Sequence, residues 1–147
     1  LVFNFFNFRK RARCFAGDVG SVSMAFVILF LIGKLIIKTE NFSWVILLVV
    51  YGVDSVLTII HRLMLKENIG QPHRKHLYQL LANEAKIPHL SVSFFYMATQ
   101  ALVGGGYLLV LKYAPAYTLF YAIVSLVVLV AVYLPLRRKY YALLEEK

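Results

Sequence analysis

Residues 19–37, VGSVSMAFVILFLIGKLII, hold no acidic side chain and one cation, Lys34, near the far end. A helix needs about 20 predominantly apolar residues to cross the hydrocarbon core of a bilayer, and this run has that length. The Lys34 ammonium can reach the interface on its long stem while the stem stays in apolar surroundings. Three more runs of similar character follow at 42–60, 90–112 and 117–136. The first two runs are joined by the minimal turn Lys38-Thr39-Glu40-Asn41, and the last two by Tyr113-Ala114-Pro115-Ala116-Tyr117, where proline suits a break between helices. The reading is an all-α, polytopic transmembrane helix bundle with four full spans.

Composition agrees with this reading. Of the 147 residues 61% are hydrophobic and 16% charged, and the mean hydropathy is +0.71. Soluble domains are roughly half apolar and about a quarter charged. The single Cys14 excludes an internal disulfide and a cysteine-based metal cluster. No cleavable signal peptide is visible, because the basic run at 9–13 follows the apolar start instead of preceding it. The opening LVFNFFNF, 1–8, is too short to cross and reads as a helix stub, as if the chain began in the middle of something larger.

The net charge of +9 would suggest a nucleic-acid partner in a soluble protein. Here the cations fall between the apolar runs, so no nucleic acid is expected. Counted by side of the membrane, thirteen Lys and Arg lie in the 9–13 segment, the 61–89 connection and the tail, against three on the other side. The positive-inside rule then places those three segments, and the C-terminus, in the cytoplasm of a plasma-membrane protein. The 61–89 connection is the one long polar loop, with Leu63, Met64, Leu77, Leu80 and Leu81 at near-helical spacing. The tyrosines 107, 113, 117, 121, 133, 140 and 141 are placed as an aromatic belt would place them.

Two segments carry candidate chemistry. In Cys14-Phe15-Ala16-Gly17-Asp18-Val19-Gly20-Ser21 a carboxylate sits between two glycines at the edge of the first span. An ionisable group there is a functional candidate by default, and Gly17 and Gly20 let the backbone approach a bound group. The plainer alternative is a helix cap made by Asp18 or Ser21. The second segment, Pro72-His73-Arg74-Lys75-His76, puts two imidazoles and two cations within five residues. Arginine offers a planar fork suited to phosphate oxygens, and histidine a proton near neutral pH. A hard cation such as Mg²⁺ takes few carboxylates and leaves the rest of its shell to water or phosphate, so Asp18 opposite this loop makes a set suited to a diphosphate. The alternative is an interfacial basic loop that binds lipid headgroups.

The order F-x-G-D-V-G-S, then D-x-x-x-x-x-x-H-R from Asp54, then P-H-R-K-H-L-x-Q-L-L resembles the polyprenyl-phosphate N-acetylhexosamine-1-phosphate transferases, glycosyltransferase family 4. The resemblance covers essentially the whole chain, 1–147, as the C-terminal half of such an enzyme. It implies transfer of N-acetylhexosamine-1-phosphate from a UDP-sugar to polyprenyl (undecaprenyl) phosphate, releasing UMP and starting a lipid-linked envelope glycan. It implies Mg²⁺, with Mn²⁺ as a substitute, on Asp18, and the uracil ring stacked on Phe15. Gly17, Gly20 and Ser21 would shape the backbone around the nucleotide. His73, Arg74 and His76 would cover the diphosphate and sugar, with Arg74 as clamp. Asp54 and Arg62 match recurrent family positions at the end of the preceding helix, where direct substrate contact and an intrahelical pair that holds the loop in place are the two open roles. A homodimer is one assembly state open to such a protein.

The sequence also departs from the family pattern. The family's aspartate-rich motif has no counterpart here, since only Asp18 and Asp54 are acidic near the membrane edge on the active face, so this chain alone is expected to be inactive. There is no triple-histidine run, which points to the GlcNAc-type branch, and Ala16 stands where methionine is common. A non-catalytic lipid-binding scaffold is the competing class. Transport is disfavoured because mid-span polarity is thin, mainly Thr99 and Gln100.

Overall fold

The computed structural model describes residues 2–7, 13, 17–71 and 73–145, and every regular element among them is helical. In chain order these are α1 (Val2–Asn7), α2 (Gly17–Thr39), a 3₁₀ segment (Phe42–Leu48) running into α3 (Val49–Met64), a short α4 (Leu77–Gln79) continued by a π turn (Leu80–Glu84), α5 (His89–Tyr113), a 3₁₀ turn (Pro115–Tyr117) and α6 (Thr118–Glu145). Four stretches are long and apolar enough to cross a membrane: Gly17–Thr39, Phe42–Met64, His89–Tyr113 and Pro115–Ala142. Their surfaces agree. Phe26, Leu29, Phe30 and Leu31 on α2, and Leu119, Phe120, Val127 and Val132 on α6, are all exposed. Exposed apolar area on this scale is unfavourable in water and suits hydrocarbon, so the chain is an all-α membrane protein.

The polar connection is shorter than expected. α3 runs on to Met64, and α6 passes through Pro135 and carries Arg137, Arg138 and Lys139 inside the helix. The cause in α6 is local: proline removes one backbone donor, and the residues after it are good helix formers.

The chain divides into two compact units, Leu1–Val45 and Ile46–Lys147. In the first, Gly17 opens α2 with φ +64°, a left-handed conformation that glycine adopts without the steric cost of a Cβ. After α2, the Asn41 side chain accepts the Ser43 N–H at 3.0 Å and caps the 3₁₀ segment.

In the second unit α3, α5 and α6 pack on one another. At the start of α3 the Gln100 amide enters the helical ladder. Its Nε2 donates to Ile46 O and its Oε1 accepts from Val50 N, both at 3.1 Å. Those two backbone groups would bond each other in an uninterrupted α-helix, so the mid-span glutamine marks the change from 3₁₀ to α and staples α5 to α3. The glycine run in α5 is used unevenly. A Cβ on Gly106 would lie 2.2 Å from the Tyr121 hydroxyl, one on Gly104 would touch Leu47 at 3.4 Å, and one on Gly105 would meet nothing.

At the other end of this unit Leu77 and Leu81 from the α4 turn join Val53, Val92, Tyr96 and Tyr133 in one buried cluster. The helical spacing seen in the loop is real for Leu77, Leu80 and Leu81, which are buried. Leu63 and Met64 end α3 with exposed side chains. Tyr107 and Tyr133 are core residues, not belt residues.

Candidate functional site

The site is best built from α3. Asp54, Thr58 and Arg62 lie four residues apart on one face, and all three are buried, with Asp54 and Arg62 each 2% exposed. A polar stripe of this kind is stable only if its groups are bonded. Each of them is.

The Asp54 carboxylate accepts the Leu77 N–H, the Tyr96 hydroxyl and the Tyr133 hydroxyl, each at 2.9 Å. Tyr78 N lies 3.5 Å from Oδ2, and the Thr58 hydroxyl is 3.4 Å from Oδ1 and 3.2 Å from Tyr133 Oη. The first N–H groups of a helix have no partner within it. Asp54 therefore caps α4 from a different helix, 23 residues earlier in the chain, and ties α3, α4, α5 and α6 to one carboxylate.

Arg62 holds the other half of the loop. Its Nη2 donates to Asn68 O at 2.6 Å and Gln71 O at 3.2 Å, its Nη1 to Ile69 O at 3.2 Å, and its Nε to Glu67 Oε2 at 3.1 Å. Glu67 also pairs with Lys75. These two cations hold the Glu67 carboxyl below its ordinary value, Lys75 having the larger effect, and Glu67 in turn raises Lys75.

On this base sit the loop side chains. The His73 and His76 rings are 4.9 Å apart, and His76 stacks on Tyr78 at 5.5 Å. His76 Nδ1 is 3.6 Å from Asp54 Oδ1. Burial and then the Arg62 charge lower the His73 pKa, which keeps that imidazole neutral at neutral pH. Arg74 is exposed and has no hydrogen-bond or ion-pair partner among the described residues. The loop thus brings His73 and His76 together and turns Arg74 outward.

For Asp54 and Arg62 two roles were open, direct substrate contact and an intrahelical pair that holds the loop. The structure buries both and bonds them to different segments of the loop rather than to each other, with Asp54 also accepting from Tyr96 and Tyr133 on α5 and α6. Tyr96, Tyr133, Thr58 and Glu67 were not singled out from the sequence. The i, i+4, i+8 spacing of Asp54, Thr58 and Arg62 was the available signal, since three polar residues on one face of a membrane helix need partners.

Asp18 belongs to the first unit. It stands in the first turn of α2, exposed, with no carboxylate partner among the described residues. The position suits a negative charge, because unpaired N–H groups and the helix dipole favour anions there. Ser21 does not cap the helix, for its hydroxyl donates backward to Gly17 O at 2.9 Å and Asp18 O at 3.1 Å. Gly20 lies within the first turn of α2, and Phe15 lies outside the described residues.

Acidification should loosen the loop. The folded pKa of Glu67 is below 4.5 and that of His73 below 6.5, so the unfolded loop binds more protons in each window. Stability contributed by neutral His73 declines as pH falls below about 6.5, and that from ionised Glu67 below about 4.5. Amide hydrogen exchange across 66–76, corrected for intrinsic rates, should accelerate from pH 7 to pH 4. Constant protection over that interval would contradict the assignment.

No protein-family model, curated protein or solved structure matches the chain.

Proposed function

We propose that the chain is the nucleotide-sugar-binding half of a membrane phosphoglycosyl transferase, acting at the cytoplasmic face of the plasma membrane. The observation that carries this reading is the mounted loop. Two buried charges, Asp54 and Arg62, hold its backbone by four hydrogen bonds of 3.2 Å or less, and Arg74 is exposed on it without a partner among the described residues. An arginine kept open on a rigid mount can meet a diphosphate without first breaking an ion pair.

Mg²⁺ fits the donor set as a one-carboxylate site. Among the described residues no cluster of three His, Cys, Asp or Glu exists that would hold a metal in an all-protein cage. Asp18 is exposed and has no partner among the described residues, which suits a cation that completes its shell with water and phosphate oxygens. Bound there, the ion would offset charge on the nucleotide diphosphate.

In the reaction proposed, a phosphate oxygen of polyprenyl phosphate attacks the β-phosphorus of a UDP-N-acetylhexosamine. The bond from that phosphorus to the bridging oxygen breaks, UMP departs, and a lipid-linked diphosphate sugar remains. Arg74 would neutralise charge on the transferring group, and neutral His73, with His76 beside it, would hydrogen-bond phosphate or sugar oxygens. Asp54 and Arg62 are positioning residues in this scheme, since they act through the loop.

The test is UMP release from UDP-N-acetylglucosamine and polyprenyl phosphate by the full-length protein. Asp18→Asn should lower it by about a hundredfold or more, and near-normal release would sink the proposal. The scaffold reading is separated by Arg74→Ala. A change in lipid association with UDP-sugar binding intact would favour the scaffold.

A further inference from the structure

α3 and α6 leave between them a cavity of about 550 Å³, and one of its lining residues, Tyr141, also lies under Lys75 of the loop. One wall is apolar, with Ile60, Met64 and Leu134. The other holds Arg137, Arg138 and Tyr141, and none of the cavity's described lining residues is acidic.

Arg137 is the unusual member. It is 6% exposed, and its Nη1 donates to Leu57 O at 2.8 Å. Its Nε and Nη2 are buried and have no hydrogen-bond partner among the described residues. Buried donors are rarely left unmade because the desolvation cost is then uncompensated. These two nitrogens form one edge of the planar guanidinium, and that edge is the one that takes an oxyanion in bidentate fashion. The guanidinium carbon is 6.0 Å from the ring centres of Tyr133 and Tyr141, which soften the isolation of the charge without satisfying its N–H groups.

The position narrows the ligand. Arg137 follows the apolar part of α6 directly, where a membrane helix meets the headgroup layer. Arg138, exposed at the same cavity, adds a second cation. A cavity with a paired-donor edge at one side and aliphatic side chains at the other matches an amphiphile with a phosphate head.

We propose that this cavity binds the phosphate of an anionic membrane lipid, held by Arg137 Nε and Nη2, with Arg138 supplying further charge and the Ile60 and Leu134 wall taking the first methylenes of the chain. Because both nitrogens are closed off from solvent, the side chains packed over them must shift to admit the headgroup. The site is independent of the transferase reading, and it stands whether or not the protein transfers a sugar phosphate.

The experiment is calorimetric titration of the protein in nonionic detergent with dioctanoyl phosphatidic acid, dioctanoyl phosphatidylcholine and inorganic phosphate. Phosphatidic acid should bind at least about tenfold more tightly than either of the others, and Arg137→Gln should remove about a tenfold factor. Arg138→Gln, at an exposed position, should weaken binding severalfold. Ile60→Phe, which narrows the cavity and leaves both arginines in place, should also weaken it and keeps the test valid if Arg137→Gln does not fold. Equal binding of phosphatidylcholine would overturn the headgroup assignment, and equal binding of inorganic phosphate would overturn the lipid. Undiminished binding in Ile60→Phe and Arg138→Gln, or a loss in Arg74→Ala as large as in Arg137→Gln, would place the lipid elsewhere.

Discussion

Arg62→Ala should release the 65–76 loop while leaving the membrane helices formed. One guanidinium serves the carbonyls of Asn68, Ile69 and Gln71 and the Glu67 carboxylate, and it is buried while doing so. Each hydrogen bond from a charged donor is worth about 1.5–3 kcal/mol, so losing the four together costs about 3 kcal/mol or more. That is on the order of a hundredfold or more in the equilibrium between closed and open loop. Limited proteolysis in detergent should therefore cut within 65–76 far faster in the variant, with the helical circular dichroism unchanged. Arg62→Lys should rescue little, since an ammonium cannot reproduce a fork that reaches four acceptors. A loop equally resistant to protease in Arg62→Ala would show that the packing of Leu77, Leu80 and Leu81 holds it unaided. The variant also bears on function, because Arg74 would then sit on a mobile chain and UMP release should fall with it.

Asp54→Leu is expected to be at least as damaging, by a different route. Leucine matches the volume of aspartate poorly and accepts nothing, so the Leu77 N–H and the hydroxyls of Tyr96 and Tyr133 lose their acceptor inside an apolar cluster. Each buried unsatisfied donor costs about 1–3 kcal/mol, and three together should detach α4 and lower the thermal midpoint of the whole second unit. Asp54→Asn should fall between this variant and the wild type. Its carbonyl can keep the Leu77 N–H, and a tyrosine hydroxyl can turn to accept from the amide. Tyr96→Phe and Tyr133→Phe should each cost about 1.5–3 kcal/mol, the range for a hydrogen bond to a charged group. Thermal melts followed by circular dichroism give the ranking. If Asp54→Leu were as stable as Asp54→Asn, the carboxylate would not be what joins the four helices.

The two predictions concern residues whose importance was partly visible in the sequence. Asp54 and Arg62 stood out as charges at a span boundary, while their four-residue spacing with Thr58, which puts all three on one helix face, went unread. Their partners did not stand out. Tyr96 and Tyr133 look like any tyrosine in a membrane protein, and Leu77 contributes only its backbone. The same holds for Gln100, which the sequence offers as a little mid-span polarity and the structure uses to replace a helical hydrogen bond. Arg137 reads as one of three cations after a span. Only its burial beside α3 separates it from Arg138 and Lys139.

What the amino-acid sequence determined by itself was the solvent and the class: four apolar stretches of membrane-crossing length, joined by short turns and one polar loop, in an all-helical chain. Hydropathy and length are properties of neighbouring residues, so they can be read along the chain. The tertiary structure alone decided which polar groups meet, because an acceptor on α3 finds its donors 23, 42 and 79 residues further on. A buried charge must find such partners or cost several kcal/mol, yet nothing in its local sequence says which ones the folded helices will bring to it.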